Sequence, residues 1–181
     1  MGGGAGHAWL AELVRDVADF PKVGVGFKDI TPLLADPMAF ATAIDALALV
    51  GRELAGGHDI DRVVGIEARG FILAAPVAYR LGAGFVPVRK TGKLPWRTEQ
   101  EAYELEYGTD LLEVHADAVR PGERVLIADD VIATGGTAAA AARLIEKLGA
   151  TVVGFAFLID LAFLGGRSQI SAYPSQSLLT Y

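Results

Sequence analysis

The chain has 181 residues, 52% of them hydrophobic, no cysteine, and a formal net charge of −6 from 16 basic and 22 acidic side chains. That is the length of one domain, 1–181, and enough chain to bury a substantial core. Disulfides and thiolate metal sites are excluded, a globally acidic chain is a poor binder of nucleic acid, and apolar runs such as 152–159 are too short to span a bilayer. The glycine-rich start, residues 1–6, lacks the basic-then-apolar layout of a signal peptide. A cytoplasmic protein is expected, with no membrane and no nucleic acid among its partners.

In chain order, residues 8–18 read as a short amphipathic helix. The segment 20–32 is irregular, with two prolines and two glycines. Residues 37–54 read as a helix, with Asp36 as its cap and Pro37 at its first position. A strand over 62–67, a helix over 70–81 and a strand over 85–89 follow. Residues 91–108 carry charge, glycine and proline without a period; a loop of that length in a compact domain is usually functional or mobile. A strand pattern resumes over 109–115. A strand over 125–129, a helix over 138–148 and a strand over 151–159 make a further β-α-β unit. Strands alternating with helices imply an α/β fold with a parallel sheet and right-handed crossovers. In such sheets ligands bind at the carboxyl ends of strands, where Arg69, Arg89 and Asp129 fall. His7, His58 and His115 are scattered, with neither metal spacing nor a triad arrangement, and read as surface residues.

One stretch carries most of the chemistry. Val125-Leu-Ile-Ala-Asp-Asp-Val-Ile-Ala-Thr-Gly-Gly-Thr137 runs from four apolar residues into adjacent carboxylates, Asp129 and Asp130, and on to an alanine-rich helix. Gly135 and Gly136 let the backbone turn sharply and approach a ligand. The free N–H groups of the loop and first helical turn converge on one spot that favours an anion, above all a phosphate. Thr134 and Thr137 add hydroxyl donors. Two carboxylates beside a phosphate nest make sense if a ribose lies between them, its diol donating to Asp129 and Asp130 while the loop holds the 5′-phosphate. The spacing is neither that of a Walker A loop nor that of the dinucleotide fingerprint. Arg69, in Glu67-Ala-Arg-Gly70, offers a second anion contact. Arg89-Lys-Thr-Gly-Lys93 places three cations within five residues, a local phosphate trap in an acidic chain. Together the two segments suggest a pyrophosphate site.

The Asp-Asp loop resembles the ribose-phosphate loop of the type I phosphoribosyltransferases. Phe20-Pro-Lys-Val-Gly-Val-Gly-Phe-Lys-Asp-Ile-Thr-Pro32, Arg89-Lys-Thr-Gly-Lys-Leu-Pro95 and Tyr103-Glu-Leu-Glu-Tyr-Gly108 resemble the signature segments of the adenine-specific branch of that family. With Glu67-Ala-Arg-Gly70 the likeness runs from about Phe20 onward. Val23 stands where the family often has proline, and Asp160 where glutamate is common.

The resemblance implies a parallel-sheet type I phosphoribosyltransferase fold with flanking helices, a small N-terminal hood over about 8–34 and a flexible catalytic loop over about 91–108. It implies transfer of a phosphoribosyl group from phosphoribosyl pyrophosphate to adenine, giving AMP and pyrophosphate, with Mg²⁺ held mainly by substrate oxygens and water and no protein ligand, and a homodimer. It assigns the 5′-phosphate to Ala133, Thr134, Gly135, Gly136 and Thr137, the ribose hydroxyls to Asp129 and Asp130, and the pyrophosphate to Arg69, Arg89 and Lys93, the last two acting either within the subunit or across a dimer interface. It assigns adenine to the backbone of Gly26 and Lys28, with Phe27 stacked on the ring. It makes Glu106 the general acid/base on a loop it shares with Tyr107, and it implies a cis peptide at Glu67–Ala68. The rival readings are another base on the same fold, such as an oxopurine or orotate, and a regulator that senses phosphoribosyl pyrophosphate. The hood segment and Leu-Glu-Tyr-Gly argue against the first, and the charge and length against the second.

Overall fold

A computed structural model describes residues 7–105 and 108–181. Its centre is a seven-stranded sheet built from β3 (Arg62–Ile66), β4 (Gly84–Lys90), β5 (Thr98–Leu105), β6 (Gly108–His115), β7 (Arg124–Ile132), β8 (Thr151–Asp160) and β9 (Ser175–Thr180), in the spatial order β5-β6-β4-β3-β7-β8-β9. The five strands from β4 to β9 run parallel. The β5–β6 hairpin is antiparallel and joins the sheet through an antiparallel β4–β6 contact. A separate two-stranded ribbon pairs β1 (Arg15–Val17) with β2 (Phe27–Asp29).

Helices cover both faces. On one lie α1 (Thr31–Ala35), α2 (Pro37–Leu54) and α3 (Arg69–Leu81), and on the other α4 (Gly136–Lys147). The start of α2 follows from its first residues: Asp36 Oδ1 accepts from the Met38 and Ala39 amides at 2.9 and 2.8 Å, while Pro37 occupies the first turn, where an N–H would go unused. Ala39, Ala43, Leu47 and Val50 recur every three or four residues and form its buried stripe. Strand β7 is apolar on both sides because it is covered on both: Leu126 and Ala128 join the core under α2 and α3, Val125 and Ile127 the core under α4. Each fully buried large aliphatic side chain contributes about 1.5–3 kcal/mol, so the central strands are the rigid base on which their carboxyl-end loops stand.

The architecture is the expected α/β fold, with four local differences. Residues 8–18 are not one helix: a 3-10 turn, Ala8–Leu13, buries only Leu10 and gives way to β1, whose pairing with β2 overrides local helix preference. The stretch 20–32, expected to be irregular, contains β2 and the start of α1. Half of 91–108 is strand. Thr98-Glu-Gln-Glu-Ala-Tyr-Glu-Leu105 has no apolar alternation to betray it; it is held by its full register with β6 and by Arg143 and Lys147 of α4, which both reach Glu101. Strand β9 also went unread, being short, polar and at an edge, with Leu179 its one buried residue. Of the histidines only His58 is exposed; His7 and His115 are half-buried, each with one ring nitrogen enclosed and unpartnered.

Candidate active site

The carboxyl ends of β3 and β7 bound a cavity of about 440 Å³ lined by 66–69 and by 129–135 with Thr137 and Ala138. Asp129 and Asp130 stand near the end of β7, and both meet the first turn of α3. Asp129 Oδ1 accepts from the Asp130 amide at 2.9 Å. The first turn of α3 presses on the same atom: a side chain at Gly70 would place its Cβ 2.4 Å from Asp129 Oδ1 and so displace that carboxyl. Asp130 is 5% exposed, and Arg69 Nε lies 2.8 Å from its Oδ2, an ion pair off the hydrogen-bond direction that leaves this oxygen without an aligned donor.

The electrostatics follow from this crowding. Burial pushes the Asp129 carboxyl well above the ordinary aspartate range, and the adjoining charge of Asp130 pushes it further; the Asp130 amide offsets part of this. Asp130 is also raised by burial, with Arg69 pulling in the other direction. Two poorly solvated acids therefore face the cavity, and both gain from a hydroxyl donor or a developing positive charge.

Opposite them, Gly135 sits in the left-handed region at φ 83° and caps α4, whose first turn has no side-chain cap. Its unpaired N–H groups and the helix dipole favour an anion there. The loop is backed by the short turn Gly166–Ile170. A Cβ on Gly135 would lie 2.2 Å from the Gly166 carbonyl oxygen, and one on Gly166 would lie 2.2 Å from the Ala133 carbonyl oxygen. Gly135 and Gly166 thus interlock backbone against backbone. Arg167 ties that turn down: its Nε meets buried Asp160 at 2.5 Å, and its other nitrogens reach Ser175 and Ser177 near 3.0 Å.

The structure brings Arg69, Asp129, Asp130, Ala133, Thr134, Gly135 and Thr137 to one cavity, with Gly136 in the same loop. Phe27 adjoins it through Arg69, whose guanidinium carbon lies 4.7 Å from the centre of the Phe27 ring; Phe20 meets that ring edge-on at 5.1 Å. Gly26 is exposed beside it, whereas Lys28 turns its side chain to Asp16 and to the face of Tyr181, leaving only its backbone for a ligand. Glu106 and Tyr107 lie outside the described residues. The β5–β6 pair approaches the Ala133–Thr137 loop through Tyr103, whose hydroxyl interacts with Asp110 and Thr137. The Glu67–Ala68 peptide is cis.

Arg89 and Lys93 do not line the cavity. They sit behind Glu67, which does: Glu67 accepts from Arg89 Nε at 3.2 Å, from the Lys90 amide at 3.1 Å and from Lys93 Nζ. Burial would raise the Glu67 carboxyl, yet these donors outweigh it and hold it below its ordinary value. Sequence reasoning missed Glu67, although its position directly before Ala68-Arg69 at a strand end was a signal. It also missed Glu113, 2% exposed, whose Oε1 accepts from the Lys93 and Leu94 amides at 2.9 Å and so fixes the turn after β4. Among the described residues no group of three or more His, Cys, Asp or Glu is placed to hold a metal ion, and no helix is long and apolar enough to cross a membrane.

Comparison with known proteins bears on this geometry. Residues 33–177 match the phosphoribosyl transferase domain family. The chain is 60% identical over 170 residues to an adenine phosphoribosyltransferase of Acidothermus cellulolyticus, covering 94% of each chain. The crystal structure of adenine phosphoribosyltransferase from Thermoanaerobacter pseudethanolicus superposes with a TM-score of 0.91 at 50% identity, over 97% of this chain and 99% of that one. The enzyme of Saccharomyces cerevisiae, crystallised with an imino-altritol 1,6-bisphosphate and adenine, superposes with a TM-score of 0.91 at 42% identity, over 96% and 98%.

Proposed function

The chain belongs to the phosphoribosyl transferase family and, within it, to the adenine phosphoribosyltransferases, and we propose from that premise how its residues move a 5-phosphoribosyl group from phosphoribosyl pyrophosphate to adenine, giving AMP and pyrophosphate in purine salvage. The observation that carries the proposal is the one cavity lined both by two crowded carboxyls, Asp129 and Asp130, and by the start of α4, a helix without a side-chain cap. Ala133 to Thr137 hold the 5′-phosphate through backbone N–H groups and the two threonine hydroxyls. Asp129 and Asp130 accept from the ribose hydroxyls. As the bond from C1 to pyrophosphate lengthens, positive charge grows on the ribose ring, and the same two carboxylates stabilise it.

Arg69 binds the pyrophosphate, with Arg89 and Lys93 behind it. The base lies on Phe27, its N6 and N1 paired with backbone C=O and N–H groups of Gly26 and Lys28. That pairing suits a base with a donor next to an acceptor; an oxopurine presents O6 instead and leaves buried groups unsatisfied, which is the stronger kind of discrimination. Residues 8–34 form the hood that carries these groups. The segment 91–108, strand β5 included, is the closing element that brings Glu106 and Tyr107 over the site, and Glu106 moves the proton at the purine imidazole as N9 attacks C1.

The donor set suits Mg²⁺ arriving on the substrate: Asp129 and Asp130 offer the hard oxygens this ion prefers, but no third protein ligand joins them among the described residues. When bound, Mg²⁺ supplies neutralisation of the pyrophosphate charge. A cytoplasmic homodimer completes the proposal. Exposed Ile72 and Tyr79 on α3 and Phe85 on β4 offer apolar surface for a second copy, which sedimentation would test.

The test of function is pyrophosphate release from phosphoribosyl pyrophosphate and Mg²⁺ with adenine, hypoxanthine, guanine and xanthine in parallel. Release with adenine alone is expected. Release with an oxopurine would overturn the base assignment, and silence with every base would overturn the activity.

A further inference from the structure

Arg89 and Lys93 are not bare cations awaiting an anion. Arg89 Nε, the Lys90 amide and Lys93 Nζ all converge on the carboxylate of Glu67. A weaker contact joins Arg89 Nη2 to Glu67 Oε1 at 3.5 Å, and Arg89 Nη1 donates to the Lys93 carbonyl at 3.0 Å. The Glu67 side chain is 11% exposed, while those of Arg89 and Lys93 are 32% and 46% exposed. Glu67 also lines the cavity and precedes Arg69 by two residues. The carboxylate is thus fixed at the pyrophosphate end, and the more exposed cations can turn from it toward the cavity.

We infer that Glu67 is an exchange counter-ion for pyrophosphate: it holds Arg89 and Lys93 when the site is empty, yields them to the incoming pyrophosphate, and takes them back as the product leaves. The inference rests on the reading that Arg89 and Lys93 contact pyrophosphate. Its physical basis is competition. A cation already paired must give up that pair to bind an anion, so the affinity measured is the difference between two ion pairs. A fixed internal carboxylate lowers affinity for pyrophosphate and offers a partner to the cations at the moment of release. Glu67 touches no reacting atom in this role; it positions the groups that do.

A merely structural Glu67, one that props Arg89 in its binding position, gives the opposite sign when removed. That contrast makes the test decisive. The inhibition constant of Mg²⁺-pyrophosphate against phosphoribosyl pyrophosphate would be measured for the unaltered enzyme, Glu67→Gln, Glu67→Ala and Arg89→Ala, with AMP affinity and thermal melting as controls on the fold. Removing the carboxylate is expected to tighten pyrophosphate roughly three- to tenfold, the size two partly exposed ion pairs provide. It should also lower kcat where product release limits it, while the first-turnover burst of AMP stays unchanged.

Pyrophosphate binding that is unchanged or weaker in a folded Glu67→Gln or Glu67→Ala enzyme, with Arg89→Ala weakened on the order of tenfold, would overturn the exchange role and leave the pyrophosphate assignment standing. An unchanged constant in Arg89→Ala would overturn that assignment itself, and the exchange role with it.

Discussion

The interlock behind the phosphate loop gives the sharpest expectation. In Gly166→Ala the new Cβ would sit 2.2 Å from the Ala133 carbonyl oxygen and 2.9 Å from both the Ala133 carbonyl carbon and the Gly135 nitrogen. Those atoms are backbone, so no flexible side chain can turn away, and contact distance is missed by on the order of 1 Å. The turn cannot back off freely either, because Arg167 anchors it to Asp160, Ser175 and Ser177. Overpacking of this kind costs about 1–3 kcal/mol. For a domain of this size that lowers Tm by about 2–4 °C per kcal/mol, hence roughly 2–12 °C. The displaced atoms belong to the loop proposed to hold the 5′-phosphate, and each charge-assisted hydrogen bond lost there is worth about 1.5–3 kcal/mol, so ribose 5-phosphate should bind about tenfold more weakly or worse. Gly165→Ala is the matched control. Gly165 is left-handed at φ 68°, yet a Cβ there meets open space; alanine should cost about 1–2 kcal/mol of backbone strain and leave ribose 5-phosphate binding unmoved. Calorimetric titration of both variants decides the matter: equal affinities in the two would refute the claim that Gly166 sets the loop's position.

Asp129→Asn should abolish most activity and yet raise stability by about 0.5–2 kcal/mol, as relief of a strained functional site often does. The folded-state pKa of Asp129 is raised, so its ionisation penalises the fold fully above that raised value and not at all below the ordinary aspartate value; the Tm gap between variant and parent should therefore close as pH falls through that window. Glu113→Ala strips the partner from the Lys93 and Leu94 amides, should cost about 1–3 kcal/mol, and should speed hydrogen exchange at those two turn amides more than at any amide of the neighbouring β4 and β6. Glu106→Leu should lower kcat with little change in affinity for phosphoribosyl pyrophosphate; an unchanged kcat would remove Glu106 from the proton path.

The sheet centre and the strand–turn–helix of Val125 to Lys147 were legible because their signals are local. Asp36-Pro37 announces a helix through hydrogen bonds that two backbone amides donate to one carboxylate, and Val125 to Ala128 announces a strand covered on both faces. What escaped depended on partners distant in sequence. Arg15–Val17 is a strand because Phe27–Asp29 lies beside it. Thr98–Leu105 is a strand because β6 pairs with it and α4 supplies Arg143 and Lys147 to its Glu101. The same holds at the site. Asp129, Asp130 and the Gly-Gly loop are contiguous and were readable together, whereas Gly166 is 31 residues beyond Gly135 and shows its purpose only when the two backbones touch. Arg89 and Lys93 read as a free phosphate trap because their partner, Glu67, lies on another strand's end.

That pairing bears on how an acidic chain binds a polyanion. The cations at and behind the cavity have partners within the chain: Arg69 has Asp130, Arg89 and Lys93 share Glu67, and Lys90 has Asp110 at 3.0 Å. Arg69 is further engaged by the face of Phe27. Four cations thus share three carboxylates, so little of their charge is unopposed, in a chain whose net charge is −6. Binding then proceeds by trading partners, and the gain from each new contact is reduced by the contact surrendered. For a transferase this is a constructive loss. Bare cations in a partly dehydrated cleft would hold pyrophosphate long after the chemistry was over, and slow product release would cap turnover. A site whose cations have internal partners to return to grips the charged group strongly only while the ribose, the loop and the base hold the rest of the substrate in place, and lets go of the fragment once the bond to C1 has broken.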